Sequence, residues 1–285
     1  MNPYHQYVQG ISHLLHSGKE LSLGGFDTAN HPTLPENAPK VMIFSPHPDD
    51  ECIVGGLPLR LMKENGFRVI NVAVTLGSHQ ERRQGRLKEL KAACSHLGFD
   101  LLETAPDGLE KIKQATRDKL GSEWSQSVDC IKSILKTHLP RLILLPHQLD
   151  QNSTHMGTFC LVMDALRGLG PSFNCFIAET EFWSPMKHPN LMVQSSVEDV
   201  GQLMAALSFH VGEVSRNPYH LRTPAWMIDN VRRGGELVGN QGGTPPDFDF
   251  ATLYHLEKWG NRKRIKTLES GRFMGTDDGL AELLK

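Results

Sequence analysis

The stretch Val41-Met42-Ile43-Phe44-Ser45-Pro46-His47-Pro48-Asp49-Asp50-Glu51 decides the fold. Its first four residues are apolar and predict a short buried strand. An imidazole and adjacent carboxylates follow at once, although clustered carboxylates repel one another and lose hydration when they are buried. A divalent cation removes that cost because it binds deprotonated nitrogen and oxygen ligands. The stretch therefore predicts a strand that leads directly into a metal site.

Strands and helices alternate on the C-terminal side of this stretch. Apolar or β-branched runs predict strands at 67–75, 101–102, 142–145 and 174–180, and helical patterns fall at 55–64, 84–97, 122–138 and 155–166. This alternation predicts an α/β fold, a Rossmann-like, mainly parallel sheet with helices on both faces. We expect a single domain with an N-terminal arm and C-terminal helices.

The chain divides into three segments by pattern. Residues 1–38 form an N-terminal extension, with helical spacing followed by a Gly- and Pro-containing loop at 24–39. Residues 39–257 carry the alternating pattern. Residues 258–285 are first basic and then acidic, which predicts a solvated tail or a last helix.

Composition excludes several classes of partner. The formal net charge of −2 provides no basic field for nucleic acid and no polybasic membrane patch. No apolar run approaches the roughly 20 residues of a membrane span, and the N-terminus lacks the pattern of a secretory signal. The five cysteines are scattered and odd in number, so we expect reduced thiols in a cytoplasmic protein. The sequence does not fix the oligomeric state and leaves a homo-oligomer open.

A second polar cluster, at residues 146–155, follows the predicted strand 142–145. The carboxyl ends of parallel strands meet at one edge of a sheet, so this cluster should lie beside the first. His47, Asp50 and His155 would then hold one metal with an open position, the pattern of a catalytic zinc site. Bound zinc lowers the pKa of water to about 7, and Asp49 would be the general base. Fe(II) and Co(II) also suit such a site.

The string 45–51, with Gly55-Gly56 after it, resembles the (A/S)HPDDE signature of the PIG-L/LmbE-like zinc N-deacetylases. The resemblance extends over roughly residues 40–255. It includes a helix whose Arg-x-x-Glu motif begins at Arg86 and is followed by Leu-Gly, and an Asp-Gly turn at Asp107. It also includes a second His element that ends at His155 and a later His-containing helix at His210.

The resemblance implies a Rossmann-like fold, one zinc ion and hydrolysis of the acetamide of an N-acetylglucosaminyl compound, a small-molecule amino-sugar conjugate. It assigns the metal ligands to His47, Asp50 and His155 and the catalytic base to Asp49. It also places Arg86 and Asp107 on the substrate side.

One departure from the family pattern concerns the second element. The family often has His-Pro-Asp-His there, whereas this chain has Asn152-Ser153-Thr154-His155. Asn152 can donate a hydrogen bond to an oxyanion but cannot shuttle protons. The proton for the leaving amine would come from Asp49 itself or from His147 or His210, both of which we expect near the substrate.

Structural explanations remain open for several of these residues. Asp49 could simply cap a helix, and Asp107 could be only a turn residue. Arg86 and Glu89 could form an ion pair on a helix surface. His147 could end a strand, and His210 could belong to the core. The rival functions are hydrolysis of another N-acyl or ester substrate, and sugar binding without turnover.

Overall fold

The computed structural model describes residues 2–28, 31–119 and 121–285. Within these residues nine strands form one sheet. They are β1 (Lys40–Ser45), β2 (Arg68–Ala73), β3 (Asp100–Glu103), β4 (Leu142–Pro146), β5 (Cys175–Thr180), β6 (Leu191–Ser195), β7 (Phe250–Gly260), β8 (Lys263–Lys266) and β9 (Arg272–Met274). Residues 29 and 30 of the predicted loop 24–39 lie outside the described residues.

The sheet has the strand order β3-β2-β1-β4-β5-β7-β6-β9, and β8 pairs with β7. The first five strands in this order are parallel. β7 runs antiparallel to β5, β6 and β8, and β9 is parallel to β6. The predicted single-domain α/β fold with a mainly parallel sheet is therefore confirmed.

Ten α-helices are present in the described residues. They are α1 (Pro3–Ser17), α2 (Asp50–Ile53), α3 (Gly56–Asn65), α4 (Arg83–Leu97), α5 (Gln114–Arg117), α6 (Ser122–His138), α7 (Ser153–Arg167), α8 (Val197–Ser208), α9 (Val211–Val214) and α10 (Thr223–Leu237). Short 3₁₀ segments lie at Gly18–Glu20, Gln80–Arg82, Tyr219–Arg222 and Leu280–Leu284. No helix in this part of the chain combines the length and apolar character needed to cross a bilayer.

Alternate residues of β1 contribute to separate hydrophobic cores on the two faces of the sheet. Val41 and Ile43 pack with the apolar side chains of α3, α4 and α8. Met42 and Phe44 pack with those of α6 and α7. Because both faces are covered, the strand has an unbroken apolar sequence rather than an alternating one.

The C-terminal segment differs from the prediction. Instead of a solvated tail or a last helix, residues beyond Glu257 complete β7 and form β8 and β9. The apolar side chains of Trp259 and Met274 are buried. The basic Arg264 on β8 pairs with Glu179 and Glu257, so carboxylates on β5 and β7 neutralise its charge. The division of the chain at residues 257 and 258 stays a prediction, and β7 crosses it.

The loop after β1 packs directly against β7 through a glycine. Gly55 has a φ of 78°, and a Cβ atom there would lie 2.1 Å from Thr252 Oγ1 on β7. Only glycine combines this backbone conformation with so close an approach. This contact holds residues 47–56, which contain the conspicuous polar cluster, at a fixed position above the sheet.

Candidate active site

Three potential metal ligands converge beyond the carboxyl ends of β1 and β4. His47 follows β1 by two residues, Asp50 begins α2, and His155 lies in the first turn of α7. The Nδ1 atom of His47 lies 3.2 Å from Nε2 of His155, and these nitrogens lie 3.4 and 3.3 Å from Oδ2 of Asp50. Their ligand atoms all fall within 4.8 Å of one another.

The charges of the cluster suit a cation. Burial alone would raise the pKa of Asp50, but His155 and His47 outweigh it and hold that pKa well below its usual range. Burial would lower the pKa of His155, and Asp50 outweighs this effect and raises it. Two imidazole nitrogens and one ionised carboxylate are a donor set that zinc binds in catalytic sites. The residues present therefore fit a divalent metal ion.

Residues behind the cluster orient His155. Its Nδ1 atom is buried, makes no hydrogen bond with the described residues and lies 3.7 Å from Oδ1 of Asp150. Phe182 packs edge-on against the His155 ring, with the ring centroids 4.9 Å apart. A carboxylate near the second ring nitrogen of a ligating histidine favours the tautomer with the proton on that nitrogen, which leaves Nε2 free for the metal.

Asp49 lies beside the three ligands and is held in an unusual conformation. Its φ of 111° is rare for a residue other than glycine, and such backbone strain costs on the order of 1–3 kcal/mol. The hydroxyl of Tyr219 donates to Oδ2 of Asp49 at 2.6 Å, and Nη2 of Arg86 lies 3.6 Å from the same atom. Burial and the charge of Asp50 raise the pKa of Asp49 to about 6, against the opposing effects of His210, Arg86 and Tyr219.

A second buried cluster supports the Asp49 backbone. Glu51 accepts a hydrogen bond from the Asp49 N–H at 2.9 Å through Oε2. Its Oε1 atom accepts from Nε2 of His210 at 2.7 Å and from the Cys52 thiol at 3.2 Å. Burial would lower the pKa of His210, but Glu51 outweighs it and raises that pKa.

His210 does not lie on a helix as expected. It follows α8, precedes α9 and has no exposed surface. Its partner Glu51 is equally buried. This position behind Asp49 fits a supporting role better than the predicted contact with substrate.

A cavity of about 650 Å³ opens beside the cluster, and His47, Arg86 and Asn152 lie on its wall. The Arg86 guanidinium donates to the Pro48 carbonyl at 2.7 Å, so it lies between the cavity and the Asp49 loop. Arg86 forms no ion pair with Glu89, which instead accepts the Gly212 N–H at 2.9 Å. The surface ion-pair explanation for Arg86 is therefore wrong.

The other predicted substrate-side residues do not line this cavity. His147 is buried and its Nε2 contacts the Ser184 carbonyl at 2.8 Å. Asp107 is exposed, and its Oδ1 accepts a hydrogen bond from Gln84 at 3.4 Å. Both positions match the structural explanations that the sequence left open for these residues.

Asn152 caps α7. Its Oδ1 accepts from the N–H groups of Thr154 at 2.9 Å and His155 at 3.4 Å, which fixes the turn that carries the ligand. Its own N–H donates to Oδ1 of Asp150 at 2.8 Å. The side-chain amide nitrogen makes no hydrogen bond with the described residues, so a donor remains available at the cavity wall.

Two neighbours of the site were not assigned a role from the sequence. Tyr219 lies in a 3₁₀ turn 170 residues beyond Asp49, and Phe182 follows β5. Neither stands in a local pattern, so no signal in the sequence indicates them. Glu51 belongs to the stretch 45–51, and the apolar residues Cys52 and Ile53 that follow it are the sequence signal for its burial.

The comparison with protein families gives one match. The family model described as "PIG-L: GlcNAc-PI de-N-acetylase" matches residues 42–166. This range contains β1, the loop that follows it, and α7 with His155. No curated protein sequence matches the chain.

Solved structures share the fold. N,N'-diacetylchitobiose deacetylase from Pyrococcus horikoshii is 17% identical, with 90% of this chain and 93% of that chain covered and a TM-score of 0.54. A conserved protein from Thermus thermophilus is 21% identical, with 75% and 93% covered and a TM-score of 0.53. GalB, the 4-carboxy-2-hydroxymuconate hydratase from Pseudomonas putida, is 13% identical, with 76% and 95% covered and a TM-score of 0.55. A deacetylase and a hydratase therefore share this architecture, and the chemistry must be argued from the site.

Proposed function

Because residues 42–166 carry a PIG-L family domain, we propose that the protein is a zinc-dependent hydrolase that removes an acetyl group from an N-acetylglucosamine-type substrate. The observation that supports this most strongly is the convergence of His47, Asp50 and His155 beside a separate buried carboxylate, Asp49. Three metal ligands and an adjacent carboxylate that is not one of them are what amide hydrolysis by a metal-bound water needs.

The metal would be held by His47, Asp50 and His155. A divalent ion bound there supplies a Lewis acid for the amide carbonyl and lowers the pKa of a bound water to about 7. Zinc suits this donor set best, and Fe(II) or Co(II) would also be accepted.

The residues of the chain supply the remaining steps. Asp49 takes a proton from the attacking water. Its raised pKa is closer to pH 7 than the pKa of an ordinary carboxylate, which suits a general base. The Tyr219 hydroxyl and the Arg86 guanidinium keep its carboxylate in position. The free amide N–H of Asn152 donates to the developing oxyanion.

The same carboxyl returns the proton to the leaving amine. His147 and His210 are buried, and their Nε2 atoms contact the Ser184 carbonyl and Glu51, so Asp49 serves as both base and acid in this proposal. The water oxygen bonds to the carbonyl carbon, the C–N bond breaks, and the nitrogen leaves with the proton from Asp49, so the products are a carboxylic acid, which ionises, and an amine. Asn152 cannot assist with the proton, which predicts a slower second step than a histidine at this position would allow.

A second candidate substrate carries an acyl group longer than acetyl. An apolar pocket of about 200 Å³ is lined by aromatic residues that include Phe182, Trp183 and Tyr219. Phe182 also contacts His155, and Tyr219 contacts Asp49, so this pocket borders the reacting groups. It would accommodate an alkyl chain.

The test combines metal analysis with product release. We expect one zinc per chain and chelator-sensitive acetate release from N-acetylglucosamine or N,N'-diacetylchitobiose. Asp49→Asn should lower kcat by about 10²–10⁴ with metal content unchanged, whereas His155→Ala should lose the metal. Release of longer acids only would select the second candidate, and wild-type turnover by Asp49→Asn would contradict the assignment of the base. The cytoplasmic location and a homo-oligomeric state stay predictions.

A further inference from the structure

The large cavity beside the metal cluster is lined by more cations than anions. Six basic side chains lie on its wall, namely Arg82, Arg83, Arg86, Lys111, Lys113 and Arg216. The carboxylates on the wall are Glu110 and Glu213. The whole chain has a formal net charge of −2, so positive charge is concentrated here. Resting on the proposed function, we propose that the substrate bears an anionic group, a phosphate or a carboxylate, which these side chains bind.

One carboxylate serves two of the guanidinium groups. Glu213 accepts from Nη2 of Arg82 at 2.5 Å and from Nη2 of Arg216 at 2.5 Å. Burial would raise the pKa of Glu213, but Arg216, Arg86 and Arg82 outweigh it and lower that pKa. Glu213 is therefore ionised, and the Arg82–Glu213–Arg216 group keeps one positive charge in excess.

Of the other basic residues on the wall, Lys113 adds a positive charge that no carboxylate in the described part of the chain matches. Arg83 is matched by Glu110, at 2.7 Å, and Lys111 by Glu123, at 2.9 Å. Lys113 is exposed and makes no side-chain hydrogen bond or ion pair with the described residues. It is the basic group of the cavity that is freest to move to a ligand.

Two long helices also direct their positive ends towards the cavity. The first turn of α4 supplies Arg83 and Arg86 to the wall, and the first turn of α7 supplies Ser153 and Thr154. The N-terminus of a helix carries a partial positive charge and stabilises anions. The N-termini of α4 and α7 and the basic side chains thus both make the electrostatic potential of the cavity more positive.

The position of the cavity connects the cations with the reaction. His47 and Asn152 lie on the same wall as Arg82 and Arg216. A volume of about 650 Å³ falls within the range of about 300–1,000 Å³ that small-molecule sites occupy. A single amino-sugar molecule can therefore place its amide near His47 while its anionic group contacts the guanidinium groups, which bind phosphate and carboxylate through paired hydrogen bonds.

The first test compares matched substrates on the zinc-loaded protein. N-acetylglucosamine 6-phosphate and N-acetylmuramic acid carry a phosphate and a carboxylate, and N-acetylglucosamine carries neither. One charge-assisted hydrogen bond predicts a kcat/KM at least about tenfold higher for the preferred anionic substrate. The preference should shrink as salt rises because the ionic part of binding is screened. The better of the two anionic substrates identifies the group. Equal kcat/KM for all three would overturn the proposal.

Variants then locate the effect. Lys113→Gln removes a charge without freeing a carboxylate, and should lower the preference about two- to fivefold if one exposed contact is lost. Arg216→Gln should lower it further. Arg232→Gln is the matched control, since Arg232 is exposed on α10, pairs with Asp229 and does not line the cavity. A preference that Lys113→Gln and Arg216→Gln leave intact would overturn the assignment to this wall.

A binding measurement separates this proposal from the proposed function. Calorimetry of the zinc-loaded protein with glucosamine 6-phosphate and with glucosamine needs no turnover. Tighter binding of the phosphate that Lys113→Gln weakens, with no acyl release from any substrate, would support the anion site and reject the hydrolase. Acyl release without any preference for the anionic compound, in turnover or in binding, would support the hydrolase and reject the anion site.

Discussion

Replacing Glu51 with Gln should weaken both the fold and turnover. The Glu51 carboxylate has no exposed surface and accepts three hydrogen bonds, from the Asp49 N–H, the His210 ring and the Cys52 thiol. Glutamine keeps one acceptor oxygen and turns a donor towards either the Asp49 N–H or the His210 ring. One buried donor then lacks a partner, which costs about 1–3 kcal/mol, and breaking a buried charged pair costs about 3–5 kcal/mol.

We therefore expect the free energy of unfolding to fall by about 3–5 kcal/mol, measured by urea unfolding with an unchanged m-value. Turnover should fall as well, because the Glu51 contact helps to hold Asp49 at its φ of 111°. Zinc content should stay near wild type, since Glu51 is not one of the three ligands proposed for zinc. Glu269→Gln is the control, since Glu269 is fully exposed and its replacement should change stability by less than about 0.5 kcal/mol.

Two results would refute this reasoning. An unfolding free energy equal to that of Glu269→Gln would mean that the buried cluster does not stabilise the fold. A Glu51→Gln protein with reduced stability but wild-type kcat would mean that the Asp49 backbone keeps its position without this contact.

Three further predictions concern the metal, the Asp49 partner and a distant ion pair. Zinc at 1,000 times its Kd should raise the free energy of unfolding by about 4 kcal/mol over the chelated protein; scanning calorimetry of His155→Ala should show no such difference, and a persisting one would place the metal elsewhere. Tyr219→Phe removes the hydrogen bond to Asp49 and should lower kcat about tenfold with full zinc occupancy; unchanged kcat would show that Tyr219 is not a positioning residue. Asp164 accepts hydrogen bonds from Arg117 and Trp124, which outweigh the effect of burial and lower its pKa from 3.8. The contribution of Asp164 to the free energy of unfolding is therefore present above pH 3.8 and is lost as the pH falls through the lowered pKa. Asp164→Asn should lose about 1–3 kcal/mol at pH 7, and the gap to wild type should shrink towards pH 3 in urea unfolding; a gap independent of pH would contradict the ion-pair explanation.

The parallel half of the sheet was predictable because its signals are local. An apolar run such as 41–44 must be covered on both faces, and a helix that ends at Gly98 has its stop signal in the sequence. The convergence of His47 with His155 follows from strand direction alone. These features depend on neighbours in sequence or on general topological rules, so a single chain reveals them.

The unpredicted features depend on contacts between distant segments. Tyr219 reaches Asp49 only because the turn after α9 folds back over the loop. β8 is basic, and Glu179 on β5, which forms an ion pair with Arg264 of β8, is 85 residues away in sequence. His210 lies behind Asp49 for the same kind of reason. A sequence pattern describes one element at a time and carries no record of such partners.

The position of β7 has a consequence for synthesis on the ribosome. β1 to β5 are complete once residue 180 has emerged, and their parallel pairing needs nothing that follows. β6 is made next, but both of its partners, β7 and β9, come later in the chain. Until residues 250–274 appear, β5 presents an open edge and β6 has no strand to pair with, a state that invites pairing with other chains. The nascent protein should therefore depend on chaperones most in the interval between the translation of α8 and that of β9.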